Sequence, residues 1–247
     1  ANRSGHILTV EDPIEFLFKH KKSIVNQREI GMDTVDWNSA LKNAMRQAPD
    51  CILIGEIRDK ETMQAAIAYA QTGHLCLATL HANNSYHALN RIISFFPLEN
   101  RAALFLDLSV ALRAIVSQRL VKKPDGKRSP TCEVMLNTRH ISELIERGEV
   151  QAIKDAMEQT LAPGSQTFEQ DLFRLFRENV ITLDEALANA DSPTNLSWLI
   201  NNSELTTTSS KEEKKIDTAL EFDSTNLGGT SFKEFSLSLS DTEEENT

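Results

Sequence analysis

Three short apolar runs along the chain stop abruptly in acids or a histidine. The first passes through Thr9-Val10 into Glu11-Asp12-Pro13-Ile14-Glu15. The second, Cys51-Ile52-Leu53-Ile54-Gly55, closes on Glu56-Ile57-Arg58-Asp59. The third follows Thr72-Gly73-His74 and runs through Thr79-Leu80 to His81-Ala82-Asn83. A strand buried on both faces of a parallel sheet reads as such a run. The polar residue at its carboxyl end lies in the crevice where open α/β sheets bind ligands. The pattern therefore predicts Glu15, Glu56 and His81 on one edge of one sheet.

Helical patterns separate these runs. Asp36 caps a helix in which Trp37, Leu41, Ala44 and Met45 recur at helical spacing, with Pro49 as its stop. Asp59 caps a second helix that ends at Gly73, and Asn83-Asn84-Ser85 caps a third that reaches about Phe95. Strands are predicted over 51–57 and 75–80, and a long helix over about 99–118. The alternation predicts an α/β fold with a parallel sheet. Pro124-Asp125-Gly126-Lys127 then marks a hairpin between Leu120-Val121 and Cys132–Leu136. Helices are predicted over about 140–158, 167–178, 182–189 and 195–200, with Phe168, Leu172, Phe173, Leu175 and Phe176 on one face. The organisation reads as an α/β core over 1–138, a helical subdomain over 139–202 and an acidic, disordered tail over 203–247.

Charge refines that division. Of the net −10, −7 falls in residues 204–247, which hold eleven acids against four lysines, so the folded part carries only −3. No basic nucleic-acid footprint is present. No run approaches the ~18 apolar residues of a membrane span. The scattered Cys51, Cys76 and Cys132 read as thiols of a reducing compartment, and the cytoplasm is the expected location.

Each candidate residue has two readings at this point. Pro13 fixes the chain beyond the first strand, so Glu15 could be a placed general base, or Glu11, Asp12 and Glu15 could be solvated strand-end acids. The run closing on Glu56 resembles a Walker B strand, whose carboxylate holds Mg²⁺ through water, although Gly55 stands where an aspartate is usual. Arg58 and Asp59 could be an ordinary ion pair. His74 and His81 could be structural. His74, Cys76, His81 and His87 lack the paired short spacings of a zinc site.

Taken together, these segments resemble the secretion-superfamily ATPases of type II secretion and type IV pilus machines. Glu11–Glu15 is similar to that family's Asp box. Ile54-Gly55-Glu56-Ile57-Arg58-Asp59 is similar to its atypical Walker B, which carries the glycine. Thr72-Gly73-His74 through His81 is similar to its His box. Val25-Asn26-Gln27-Arg28-Glu29, Asn90-Arg91-Ile92 and Ser117-Gln118-Arg119-Leu120 also match, and the resemblance covers residues 1 to about 200. Arg46–Asp50 and Leu75–Asn84 are most similar to the PilT/PilU retraction branch, and to its PilU members. His140-Ile141-Ser142-Glu143-Leu144 departs from the retraction-linked Ala-Ile-Arg-Asn-Leu at His140, Ser142 and Glu143. The four-cysteine zinc insertion of assembly and secretion members has no counterpart here.

The resemblance implies a RecA-like P-loop NTPase core with ATP and Mg²⁺ as ligands. It implies a motor subunit that drives or assists pilus retraction in twitching motility. Its partners would be related retraction subunits in a homo- or hetero-hexameric ring and an inner-membrane pilus platform protein. The ring would be cytoplasmic and peripheral at the inner-membrane face. Glu15 would activate the attacking water, Glu56 would organise Mg²⁺ through water, and His81 would sense the γ-phosphate or the neighbouring subunit. His74, Arg58 and Arg91 would couple nucleotide state to the interface, with Glu11 and Asp12 completing the Asp box. Residues 1–247 contain no Gly-x-x-x-x-Gly-Lys-Ser/Thr segment. The resemblance places that loop and a PAS-like domain upstream of Ala1, with Ala1–Gly5 as the end of the loop's helix, so the chain reads as a motor fragment that is inactive alone. The alternatives are a type II secretion or pilus assembly ATPase, or a non-hydrolysing adaptor in the motor ring. Keeping both Glu15 and Glu56 favours hydrolysis. Residues 204–247 have too little apolar surface to offset the entropy of ordering. Deleting them should leave the melting temperature within error, and a large drop would show that they dock.

Overall fold

The computed structural model describes residues 2–160 and 162–202, and the tail expected to be disordered lies outside them. Strands β1 (Gly5–Glu11), β2 (Ser23–Glu29), β3 (Cys51–Ile54) and β4 (Leu75–Ala78) form one parallel sheet in the order β2-β1-β3-β4. Leu8, Val10, Ile52 and Ile54 are fully buried, as apolar runs at the centre of a parallel sheet must be. The short apolar pair Ile24-Val25, flanked by Ser23 and by Asn26-Gln27, did not announce β2. Its edge position explains why the polar positions are tolerated.

Helices α1 (Trp37–Ala44), α2 (Lys60–Gln71) and α3 (Ser85–Ser94) begin where expected, because Asp36, Asp59 and Asn84 each accept a hydrogen bond from the third residue after them. A 3₁₀ turn, Met45–Gln47, prolongs α1 toward Pro49. The strands are shorter than predicted: β3 stops at Ile54 and β4 at Ala78. Asn2–Ser4 are not helical. The long helix predicted over 99–118 is also corrected. Helix α4 (Arg101–Ala111) ends there, Leu112 is extended, and Ala114–Lys122 is strand β5. From Ile115 the buried side alternates every second residue through Ser117 and Val121, and β5 pairs along its whole length with β6 (Arg128–Leu136). Pairing with β6 overrode the helical propensity of this stretch.

The helix predicted over 140–158 divides into α5 (Arg139–Glu146) and α6 (Ile153–Gln159) around Gly148. Gly148 has φ +74°, and a β-carbon there would lie 2.8 Å from the Phe105 ring, so neither the conformation nor the space admits another residue. Buried residues of α5 and α6 (Ile141, Leu144, Ile145, Ile153, Met157) join the core under the sheet. A second cluster gathers Val121 with Phe168, Leu172 and Leu175 of α7 (Phe168–Arg177) and with Ala186 of α8 (Leu183–Asn189).

Arg119 of β5 ties these parts together. Its guanidinium donates to Asn189 O at 2.8 Å, Asn83 O at 3.2 Å and Asp191 Oδ1 at 2.5 Å, and it lies 3.9 Å from the centre of the Phe168 ring. Burial raises the Asp191 carboxyl, but hydrogen bonds from Asn84 and Arg119 and the charge of Arg119 outweigh it and hold the group below its ordinary value. Its contribution is therefore complete above the usual aspartate range and lost as pH falls through the depressed value. Arg119→Ala should cost about 1–3 kcal/mol, the range for leaving a partner unsatisfied. In a domain of this size each kcal/mol lowers the melting temperature by about 2–4 °C. An unchanged melting temperature would show that the clamp contributes nothing.

Candidate active site

Strands β1, β3 and β4 run parallel, with Val10 opposite Ile54 and Ile54 opposite Ala78, so their carboxyl ends are level. Just past the strands the chains stay stitched together. Gly55 N donates to Val10 O at 2.8 Å, Ile57 N donates to Thr79 O at 3.0 Å, and the Thr79 hydroxyl donates to Gly55 O. A β-carbon on Gly55 would sit 3.1 Å from Val10 O and 3.2 Å from Glu11 Cα. The missing Walker B aspartate thus has a steric reading, since a side chain at that position would press on the backbone of β1, which would have to give by a few tenths of an ångström.

The next residue, Glu56, anchors a cluster. Its carboxylate is 18% exposed and has one partner on each oxygen: Arg58 Nε at 2.5 Å from Oε2 and His81 Nε2 at 3.0 Å from Oε1. Arg58 also reaches Asp12 Oδ2 at 3.4 Å. Arg58 therefore pairs across the rim, while Asp59 caps α2, which replaces the Arg58–Asp59 pair entertained from sequence. His81 and Arg58 are 87% and 55% exposed. Such exposed ion pairs contribute little to stability, and both partners can swing away from Glu56 without disturbing the core. A half-buried acid with exchangeable cationic partners is suited to meeting a charged ligand.

The Asp box divides its labour. Glu11 Oε1 accepts from Thr9 Oγ1 at 2.6 Å and from Gln27 Nε2 at 2.9 Å, a positioning role. Glu29 Oε2 accepts from Ile14 N at 3.0 Å. Gln27 also donates to Phe16 O at 2.9 Å and accepts from Phe18 N at 2.7 Å. Gln27 and Glu29 thus hold the loop that carries Glu15. Neither was singled out from sequence, although polar residues inside the run Val25–Glu29 were the available signal. Glu15 is exposed on that loop and makes no hydrogen bond or ion pair with the Glu56 cluster among the described residues.

His74 and Arg91 separate. His74 precedes β4, so parallel strands put it at the amino edge, opposite the rim. There its Nδ1 lies 3.0 Å from Thr72 Oγ1 and its ring meets Tyr69 edge-on. Arg91, in the last turn of α3, stacks on Phe95 at 5.3 Å. It shares with His81, Ala82, Asn83, His87 and Asn90 an open hollow of about 380 Å³. The structure therefore brings together Asp12, Glu56, Arg58 and His81, with Arg91 alongside, and leaves His74 apart. Burial pushes the Cys76 thiol up to about 12, so it stays protonated at neutral pH. No group of three or more metal-ligating side chains gathers among the described residues.

A parallel α/β sheet with acids, an arginine and a histidine on its carboxyl edge defines a class of ligand-handling α/β proteins whose site lies at that edge. Residues 1–162 match the family described as Type II/IV secretion system protein. The chain belongs to that family. It is 52% identical over 200 residues to the type IV pilus ATPase PilU of Pseudomonas aeruginosa, covering 81% of this chain and 52% of that protein. It is 40% identical over 190 residues to PilT of the same organism, named there as the type IV pilus retraction ATPase, covering 77% of this chain and 55% of that protein. A crystal structure of the pilus retraction motor PilT with bound ADP superposes with a TM-score of 0.73 at 41% identity, over 79% of this chain and 55% of that one. The chain spans about half the length of the curated relatives it matches. The fold is a RecA-like core followed by a hairpin and helices. Gly55→Ala should overpack the β1–β3 junction, at a cost of about 1–3 kcal/mol. Thermal unfolding checks this, and an unshifted midpoint would remove the steric reading of Gly55.

Proposed function

We propose that these residues form part of an ATP-hydrolysing motor subunit that drives or assists type IV pilus retraction. The observation that carries the reading is the Asp12–Arg58–Glu56–His81 cluster on the carboxyl rim, in a chain whose relatives include PilU and PilT. The similarity to PilU favours retraction over assembly or secretion. The working division is a core over 1–138, a helical subdomain over 139–202 and a tail over 203–247.

ATP and Mg²⁺ are the proposed ligands. The donor chemistry fits a hydrated divalent cation, because Glu56 and Asp12 offer hard carboxylate oxygens and the Glu56 pair with Arg58 and His81 is open to exchange. Bound magnesium would neutralise charge on the β- and γ-phosphates. Glu56 would fix the metal's water shell from the end of β3. Glu15 would accept the proton of the attacking water at its carboxylate as that oxygen bonds to the γ-phosphorus and ADP leaves. His81, released from Glu56, would report the γ-phosphate to the loop 82–84, which Arg119 holds through Asn83 O. Arg58 and Arg91 are proposed to face the adjoining subunit of a hexameric ring of this or related subunits, docked on an inner-membrane platform protein at the cytoplasmic face. His74, at the opposite edge, is retained only as a remote coupling residue. No helix among the described residues is long and apolar enough to cross a membrane.

Residues 1–247 lack the phosphate-binding loop, whose amides and lysine offset repulsion between rim acids and a polyanion. The chain 1–247 should therefore release no phosphate from Mg²⁺-ATP. The same residues within a longer protein that supplies such a loop should turn over ATP. In that longer protein, Glu15→Gln should keep ATP binding and lose turnover by about 10²–10⁴-fold, the scale of a positioned acid–base group. Magnesium-dependent hydrolysis by 1–247 alone, or undiminished turnover in Glu15→Gln, would overturn these assignments.

A further inference from the structure

Between β1 and β2 the chain leaves the sheet in a loop, residues 12–22, with an unusual surface. Phe16 and Leu17 are 69% and 76% exposed, and Phe18 is 45% exposed. Lys19, His20, Lys21 and Lys22 follow directly and are all exposed. Single exposed apolar residues are ordinary, but a contiguous apolar patch marks an interaction site. This one is three residues long, and no acid lies between Phe16 and Lys22.

The loop is braced in this presentation. Gln27 grips Phe16 O and Phe18 N, Val25 N donates to His20 Nδ1 at 3.0 Å, and the Phe16 and Phe18 rings pack edge to face at 5.6 Å. The hydrogen bonds spend the loop's polar backbone groups inward, toward β2, and leave its apolar side chains outward. Two needs then have to be met within a few residues of each other: an apolar medium for Phe16, Leu17 and Phe18, and negative charge for Lys19, Lys21 and Lys22.

We infer that residues 16–22 of this loop dock on an anionic lipid bilayer surface. Aromatic and aliphatic side chains settle at the headgroup–acyl boundary, and lysines beside them gain from anionic headgroups. An acidic protein segment would satisfy the lysines but would have to supply a matching pocket for three successive apolar side chains. A fluid surface accepts them without one. The net charge of −10 opposes such docking only weakly, because charges more than about 8 Å from the surface are largely screened at physiological salt. The contact is consequently reversible and salt-sensitive. It does not rest on the hydrolysis reading, and it gives the proposed membrane-face placement a physical surface.

Vesicle flotation of residues 1–247 tests this directly, using phosphatidylcholine alone or with one third phosphatidylglycerol. The bound fraction should be at least about tenfold higher on the anionic vesicles and should fall as salt is raised, since each lysine near such a surface is worth about fivefold. Lys19→Glu/Lys21→Glu/Lys22→Glu should abolish flotation, and Phe16→Ser/Leu17→Ser/Phe18→Ser should reduce it about tenfold or more. Both variants should keep the parent melting temperature, because the altered side chains are exposed. The charge-matched Lys211→Glu/Lys214→Glu/Lys215→Glu should float like the parent. Equal binding to neutral and anionic vesicles, no binding to either, or undiminished flotation of both loop variants would overturn the inference. Loop-dependent binding to soluble poly-glutamate without flotation would assign the loop to an acidic protein instead.

Discussion

The rim depends on how closely β3 passes β1 where both strands end. Gly55 N is bonded to Val10 O at 2.8 Å, and a β-carbon on residue 55 would intrude on the same carbonyl. Because the backbones touch there, Glu56 emerges directly beside the Asp box. Arg58, two residues further, can then reach Glu56 and Asp12 together. A larger residue at 55 would push the strands apart and loosen the cluster that follows. The energetic weight lies in the buried core of Leu8, Val10, Ile52 and Ile54, where close packing makes even small displacements costly. The exposed ion pairs add little stability. The core fixes positions, and the rim remains free to exchange partners.

That separation gives His81 its interest. It is paired to Glu56 at one end of a short loop whose other end, Asn83–Asn84, is held by Arg119 and Asp191. A ligand that draws His81 from Glu56 therefore pulls on a loop anchored to the hairpin and to the second apolar cluster around Phe168. Coupling of this kind needs an element with two arrangements that both sites bias. The loop 81–84 is the contiguous candidate between the rim and the helical region.

The buried strands, the three helix caps and the acids that follow the strands were legible in the sequence, because each rests on a local rule. Cys51–Ile54 reads as a buried strand on its own, and Asp36, Asp59 and Asn84 cap helices without reference to the rest of the chain. Three features were not legible, and each depends on a distant partner. Ala114–Lys122 is a strand only because Arg128–Leu136 pairs with it. Gly148 takes φ +74°, and the Phe105 ring fills the space a side chain there would need. Gln27 and Glu29 matter because β2 lies beside β1, which their own run does not disclose. Glu56 and His81 could be placed on one edge from parallel topology alone. The same topology, applied to His74 at the start of its strand, would have set it on the other edge.

The claim that Glu56 serves a nucleotide held at this rim is tested most directly by separating binding from turnover. In a longer protein that supplies the phosphate-binding loop, Glu56→Gln should bind ATP within a few-fold of the parent and lose hydrolysis by about 10²–10⁴-fold. Turnover at the parental rate in Glu56→Gln would contradict the assignment of this rim as the catalytic site.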